Sequence, residues 1–313
     1  KLVGWGMATG VWEAMLRPAC AHASLGIDGK LIVSSATTDI GTGTYTIMTQ
    51  IAADVLGLPL EAVTFKLGDS SLPWAPLQGG SFTAATVGSA VKAVCDKVRA
   101  RLFKIARKMD GSPFPHAKFQ EVAFSEGRIH LQSDPTCGVS ITDAMRRADL
   151  PAIEENVIEI LDLAPRLPYS HYTHSAVFVE VTVDEELGKV AVTRVVSAVA
   201  AGRILNPKTA RSQILGGVVW GIGMALEEES VCDQQFGRFM NANLGEYHIP
   251  VNADIREIEV IFVDEPDEHV NPLGVKGVGE IGLVGVAAAI SNAIFHATGR
   301  RLRKLPMTLD KLL

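Results

Sequence analysis

From Val87 to Ile105 the apolar residues Val87, Val91, Val94, Val98, Leu102 and Ile105 recur every three or four positions. That spacing lays one continuous stripe along a long helix beginning near Thr83. A stripe of this length has to be covered by another layer of structure, so the chain must fold around a packed core. Basic residues crowd the end of the same helix (Lys97, Arg99, Arg101, Lys104, Arg107, Lys108) and suit the negative end of its dipole; they are read as a solvated face.

The surroundings of this helix supply strands. Residues 21–27 and 30–35 flank Asp28-Gly29, a tight-turn pair, and predict a hairpin. A small-residue loop, Asp39-Ile40-Gly41-Thr42-Gly43-Thr44, leads to a helix over residues 45–56. Val63, Phe65 and Leu67 then alternate as a strand, and a proline- and glycine-rich loop over 68–80 follows. The order recurs further on: paired strands at 175–183 and 189–199, a loop, and a helix over 208–229. A strand at 258–263 and a helix over 283–298 close the chain. The fold class expected is α+β, in two related halves with hairpins packed against long helices, divided as residues 1–160 and 161–313. A polar stretch near 148–170, punctuated by Pro151, Pro165 and Pro168, marks the join.

Composition removes several function classes. With 313 residues, 47% of them hydrophobic, the chain is long enough for a substantial core and is no disordered segment. A net charge of −6 and the lack of a basic stripe argue against nucleic acid, and no apolar run is long enough for a membrane span. The four cysteines (20, 95, 137, 232) form no CxxC pair and are read as packed thiols, so any metal centre here would need ligands that are not protein thiols. The residues after Lys1 read like the middle of a domain, which points to a piece of a longer protein; this chain shows no export signal.

Three loops stand before helices: 41–44, 79–86 and 277–282. Unpaired N–H groups and the positive dipole end make each a possible anion cradle, while capping by Ser and Thr explains a single loop equally well. Together they suggest an extended anionic ligand held mainly by backbone groups. Gly277-x-Gly279-x-x-Gly282 also satisfies the dinucleotide pattern. No buried strand directly precedes it, and no acidic residue stands some twenty positions on. A dehydrogenase using NADP, with Arg300 or Arg301 reading the 2′-phosphate, is therefore the lesser alternative. Glu280, inside this glycine-rich segment, is either a charge at a helix start or a catalytic base.

Taken together, Asp39-Ile40-Gly41-Thr42-Gly43-Thr44-Tyr45-Thr46, Thr83-Ala84-Ala85-Thr86, Leu205-Asn206-Pro207, Gln213-Ile214-Leu215-Gly216-Gly217, Asn241-Ala242-Asn243-Leu244 and Gly274-Val275-Lys276-Gly277-Val278-Gly279-Glu280 resemble the molybdenum-binding subunit of the xanthine oxidase family. The likeness covers nearly the whole chain and is nearest to bacterial three-subunit aldehyde oxidoreductases. It implies a molybdopterin cofactor, in the cytosine dinucleotide form, whose own sulfurs hold the metal. It also implies FAD and [2Fe-2S] clusters on partner subunits, an upstream part of the same subunit, and a cytoplasmic or periplasmic location. By the same resemblance, Gly41, Thr42, Ala85, Thr86, Gly88, Gln213 and Gly279 would contact the cofactor and Glu280 would be the base beside molybdenum. Many family members have Gln where Thr42 stands, so the resemblance implies a shorter or water-mediated contact there, and Ser where Gly88 stands, whose loss leaves only the backbone N–H. The implied reaction is hydroxylation of aldehydes to carboxylic acids, or of related heterocycles, with water as oxygen source. The alternative is a catalytically incompetent piece that binds and assembles.

Overall fold

The computed structural model describes residues 1–159 and 167–312. The chain forms two compact units that interleave along the sequence: Met15–Tyr169 with Glu268–Val275, and Lys1–Ala14 with Ser170–Asp267 and Lys276–Leu313. The expected linear division at 160/161 lies outside the described residues, as does part of the expected join at 148–170.

The chain opens with strand β1 (Leu2–Glu13), which belongs to the second unit. The first unit begins with β2 (Ala19–Gly26) and β3 (Leu31–Ser34), the antiparallel hairpin expected around Asp28-Gly29. Gly29 takes φ +81°, and the Asp28 carboxylate accepts from the Lys30 N–H at 3.1 Å, so the turn depends on both residues. Helix α1 (Thr44–Leu56) carries the chain to β4 (Val63–Lys66), parallel to β3. Helix α2 (Thr83–Lys108) then lies against β2. Its stripe is buried from Val87 to Leu102, but Ile105 is only half-buried. Phe103 and Ala106 take over the buried face there, Phe103 against Phe114 and Phe119.

A small sheet of β5 (Val122–Ser125), β6 (Arg128–Leu131) and β7 (Gly138–Ser140) and the short helix α3 (Ile141–Arg147) follow. Strand β8 (Ala152–Glu159) completes the main sheet, whose order is β4-β3-β2-β8. The basic end of α2 is not merely solvated. Lys97 Nζ donates to the Asn156 carbonyl at 2.8 Å and Arg101 to the Glu154 carbonyl at 3.3 Å, so two cations occupy acceptors of this edge strand.

The second unit repeats the plan. Strands β9 (Tyr172–Asp184) and β10 (Lys189–Ala200) form the hairpin, and helix α4 (Pro207–Leu226) leads onward. The minor strands β11 (Cys232–Asp233) and β12 (Arg238–Phe239) intervene before β13 (Glu257–Phe262), which is parallel to β10. Helix α5 (Val286–Thr298) packs on β1 and β9. The sheet order β13-β10-β9-β1 therefore matches β4-β3-β2-β8 in both sequence and sense. Only the source of the outer strand differs, since β8 follows its helix whereas β1 comes from the start of the chain. Two related α+β halves are thus present.

Two helix bounds differ from expectation. Helix α4 ends at Leu226, before Glu227-Glu228-Glu229, and α5 begins at Val286 rather than Leu283 because Gly285 takes φ +90° as its N-cap. The thiols also differ from one another: Cys95 is buried, where burial pushes its pKa up, while Cys232 is exposed. Among the described residues no helix is long and apolar enough to cross a membrane.

Candidate functional site

The first loop is built around Asp39. Its Oδ1 accepts from the N–H groups of Gly41 (2.9 Å) and Gly43 (3.2 Å), and Oδ2 from Tyr45 (3.2 Å). An acidic side chain of the protein therefore already fills the cradle expected for a ligand's anion. The correction is physical: donors satisfied by a carboxylate are not free for a phosphate. Burial works against the charge on Asp39, but donors from Tyr45, Gly41, Gly43 and Thr42 outweigh it and hold the carboxyl below its usual value. What stays open is Gly41 itself, with φ +99° and no atom within 4 Å of where a Cβ would stand. A ligand can approach its backbone closely.

Thr42 Oγ1 lies 3.0 Å from Thr44 Oγ1, and both accept from Gln78 Nε2 at 3.3 Å. Gln78 also accepts from the Thr38 hydroxyl. The proline- and glycine-rich loop over 68–80 thus reaches back and ties down the first loop, a link reinforced by the Ala36 N–H donating to the Pro73 carbonyl at 2.7 Å. No sequence signal marked Gln78. Asp39 could have been found from its position two and four residues before glycines, the pattern of an Asx turn.

A depressed folded-state pKa contributes stability above the ordinary aspartate range, and that stability is lost as pH falls through the folded value. Asp39→Asn is therefore expected to lower the denaturant midpoint at neutral pH and to flatten its decline below about pH 4. Parallel pH curves for variant and parent would contradict this role.

Helix α2 begins differently. Its N-cap, Phe82, makes no side-chain hydrogen bond to the first turn, in which Ala85 lies. Gly80 (φ +64°) and Ser81 (φ +59°) turn the chain into this helix. Thr86 is committed internally: its N–H donates to the Phe82 carbonyl at 2.9 Å and its Oγ1 accepts from the Arg17 N–H at 3.1 Å. Gly88 sits inside the helix, where its N–H belongs to the helical ladder. A Cβ there would meet Leu273 Cδ1 at 2.8 Å and Ile51 Cδ1 at 3.0 Å. The missing side chain makes room for this packing.

The remaining site residues belong to the second unit. Helix α4 is capped by Asn206, whose side chain accepts from the Thr209 N–H at 3.1 Å, with Pro207 as its first residue. Gln213 follows, half-buried, and Gly216 faces open space. One position on, Gly217 packs on the Glu280 segment: a Cβ there would stand 2.7 Å from the Gly282 carbonyl carbon and 2.8 Å from the Leu283 nitrogen. The absence of side chains at Gly217 and Gly282 lets the helix carrying Gln213 touch the loop carrying Gly279 and Glu280.

Glu280 does not start a helix. It lies in a turn closed by the Leu283 N–H on its carbonyl (3.1 Å), six residues before α5, and that helix has no acidic residue in its first turn. The helix-dipole reading of this carboxylate is thereby removed. Glu280 and Gly279 are half-buried, and Ile281 beside them is in the core. The dinucleotide reading also weakens, because Val275 makes only an isolated bridge where a strand should precede the glycines.

A family profile described as the molybdopterin cofactor-binding domain matches residues 1–256. The chain belongs to this family. It is similar to molybdenum-binding subunits of aldehyde oxidoreductases and xanthine dehydrogenases. It is 43% identical over 312 residues to the aldehyde oxidoreductase molybdenum-binding subunit PaoC of Escherichia coli K12, a match that covers all of this chain and 40% of that protein. The putative xanthine dehydrogenase molybdenum-binding subunit XdhA of the same organism is 32% identical, over 96% of this chain and 40% of its own length. Among solved structures, the aldehyde oxidoreductase from Desulfovibrio gigas shares 26% identity with a TM-score of 0.76, over 100% of this chain and 32% of that one. Quinoline 2-oxidoreductase from Pseudomonas putida 86 has the same fold, at a TM-score of 0.87 and 22% identity, over 99% of this chain and 41% of that one. The chain spans about 40% of the length of the curated relatives it matches.

The residues fit a molybdopterin cofactor. Within the first unit Gly41 leaves open space where a ligand can meet backbone, and within the second unit Gly216 does the same. The described residues contain no group of three or more His, Cys, Asp or Glu that could hold a metal ion.

Proposed function

We propose that this chain is the cofactor-binding part of an oxidoreductase that hydroxylates aldehydes to carboxylic acids, with water as the oxygen source. The observation that carries the reading is the 43% identity to PaoC along the whole chain. When bound, molybdopterin supplies the two-electron redox capacity. The chain's own residues bind and move a proton. Gly41 and Gly279 admit the cofactor close to the backbone, and Thr42, held by Gln78, presents its hydroxyl. Ala85 offers a first-turn N–H and Thr86 shapes the same turn, with Gly88 packing the helix behind them. Gln213 supplies a carboxamide. Glu280 is the general base, its carboxylate oxygen accepting the proton from the water-derived nucleophile that attacks the aldehyde carbon.

The cofactor form proposed is the cytosine dinucleotide, and electrons leave through [2Fe-2S] and FAD subunits. The full-length subunit assembled with its partners tests this. It is expected to contain molybdenum, to release cytidine monophosphate on hydrolysis, and to place labelled oxygen from water in the carboxylate product. Release of another nucleotide, or turnover of purines in preference to aldehydes, would contradict the reading.

A second reading rests on the 40% coverage of the relatives, namely that residues 1–313 by themselves bind or assemble but do not turn over. Assaying the isolated chain beside the assembled enzyme separates the two: equal turnover would exclude the second.

A further inference from the structure

Lys276 is a lysine out of water, with its side chain only 4% exposed. Lysine is almost never buried without partners, since withdrawing an ammonium from water costs several kcal/mol. Its Nζ lies 3.2 Å from Glu265 Oε2 and 3.0 Å from Asp267 Oδ2, both on the segment that follows β13. The main chain is held at the same place. The Lys276 N–H donates to the Ala201 carbonyl beyond β10 at 3.0 Å, and the Gly277 carbonyl accepts from the Thr173 hydroxyl of β9 at 2.9 Å. Residues 276 and 277 are thus fixed to three separate elements. On the far side, Gly282 rests on α4 at Ile214 and Gly217. Between these two anchors lie only Val278, Gly279, Glu280 and Ile281.

A methionine of similar length would fill the space without the desolvation cost, so stability alone does not account for a buried cation here. What a cation between two carboxylates adds is direction, because its N–H bonds aim at fixed acceptors and set where the following residues run.

We propose that Lys276 is a positioning residue for Glu280: its ion pairs with Glu265 and Asp267 fix the start of the loop that presents the carboxylate. This rests on the reading of Glu280 as the base. The test uses the full-length enzyme assembled with its partners, comparing Lys276→Met, Lys276→Arg and the partner variants Glu265→Gln and Asp267→Asn. Steady-state kinetics are read together with amide hydrogen exchange over residues 277–284.

Lys276→Met is expected to lower kcat by about 10- to 100-fold, as a small displacement of a reacting group does. KM and molybdenum content stay near those of the parent, and amides 277–284 exchange faster while the rest of the chain does not. Lys276→Arg restores most of the lost kcat, and the partner variants give smaller effects in the same direction. Parent-like exchange over 277–284 in every variant overturns the proposal, and so does faster exchange with unchanged kcat. If Lys276→Met does not fold, the partner variants decide by the same criteria. Glu280→Gln in the same background separates the two claims: retained activity there ends the general-base reading, whereas the exchange data report on the anchor itself.

Discussion

Glu280→Gln in the assembled enzyme is expected to lower kcat by about 10²–10⁴-fold with molybdenum and pterin content unchanged, the range that a positioned proton acceptor supplies. The substitution is nearly isosteric, and the turn around residue 280 is closed by a main-chain bond between the Leu283 N–H and the Glu280 carbonyl. Ile281 keeps its place in the core whatever the neighbouring side chain. The fold should therefore survive and the loss should be chemical. Metal analysis and turnover on the same preparation check this. A fall in activity that merely tracked lost molybdenum would assign Glu280 to cofactor retention instead.

Gly217→Val is expected to damage both stability and activity. A Cβ at this position would stand 2.7–2.8 Å from the backbone of Gly282 and Leu283, and backbone cannot swing away as a flexible side chain can. Replacing a helical glycine with alanine ordinarily adds about 1 kcal/mol through lower chain entropy, but a β-branched residue recovers only part of that. Overpacking costs about 1–3 kcal/mol, so the net effect is a loss. Relief can come only by parting α4 from the Glu280 loop, so kcat should fall as well. Gly216→Ala, one residue earlier on the open face, is the control and should be close to neutral in stability. Equal unfolding midpoints for Gly217→Val and the parent would contradict the close packing of helix and loop.

The elements that could be read from sequence are those whose inner and outer faces follow the ordinary rule. The α2 stripe and the hairpins at Asp28-Gly29 and before Lys189 put apolar side chains inward, and their periodicity survives in the fold. Strand β1 inverts the rule and was not legible. Its inner face carries Gly4, Gly6, Ala8 and Gly10, while Val3, Trp5, Met7 and Val11 point outward and are exposed. The reason is α5: a Cβ at Gly4 or Gly6 would overlap that helix's backbone at Ala289 and Ala293. Strand β8 was hidden by Glu154, Glu155 and Asn156, which an edge strand tolerates and for which α2 supplies cations.

At the site, glycine loops were visible but their use was not. Whether a loop N–H or hydroxyl is committed depends on what folds back onto it: Asp39 and Asn206 take N–H groups and Gln78 takes the Thr42 hydroxyl, pairings set only in three dimensions. Glu280 was legible as an unusual carboxylate, yet its place before the helix hinges on a single left-handed glycine, Gly285. The anchor at Lys276 pairs residues nine and eleven positions apart across a loop with no periodicity, so sequence spacing carried no sign of it.

The central claim, that this chain presents Glu280 as the proton acceptor at its molybdopterin, is tested most directly by a crystal structure of the assembled holoenzyme with a slow substrate bound. The account predicts a Glu280 carboxylate oxygen within about 2.6–3.2 Å of the reacting oxygen, with Gly279 backbone against the cofactor. A Glu280 side chain turned to bulk solvent, with another residue in that place, would contradict it.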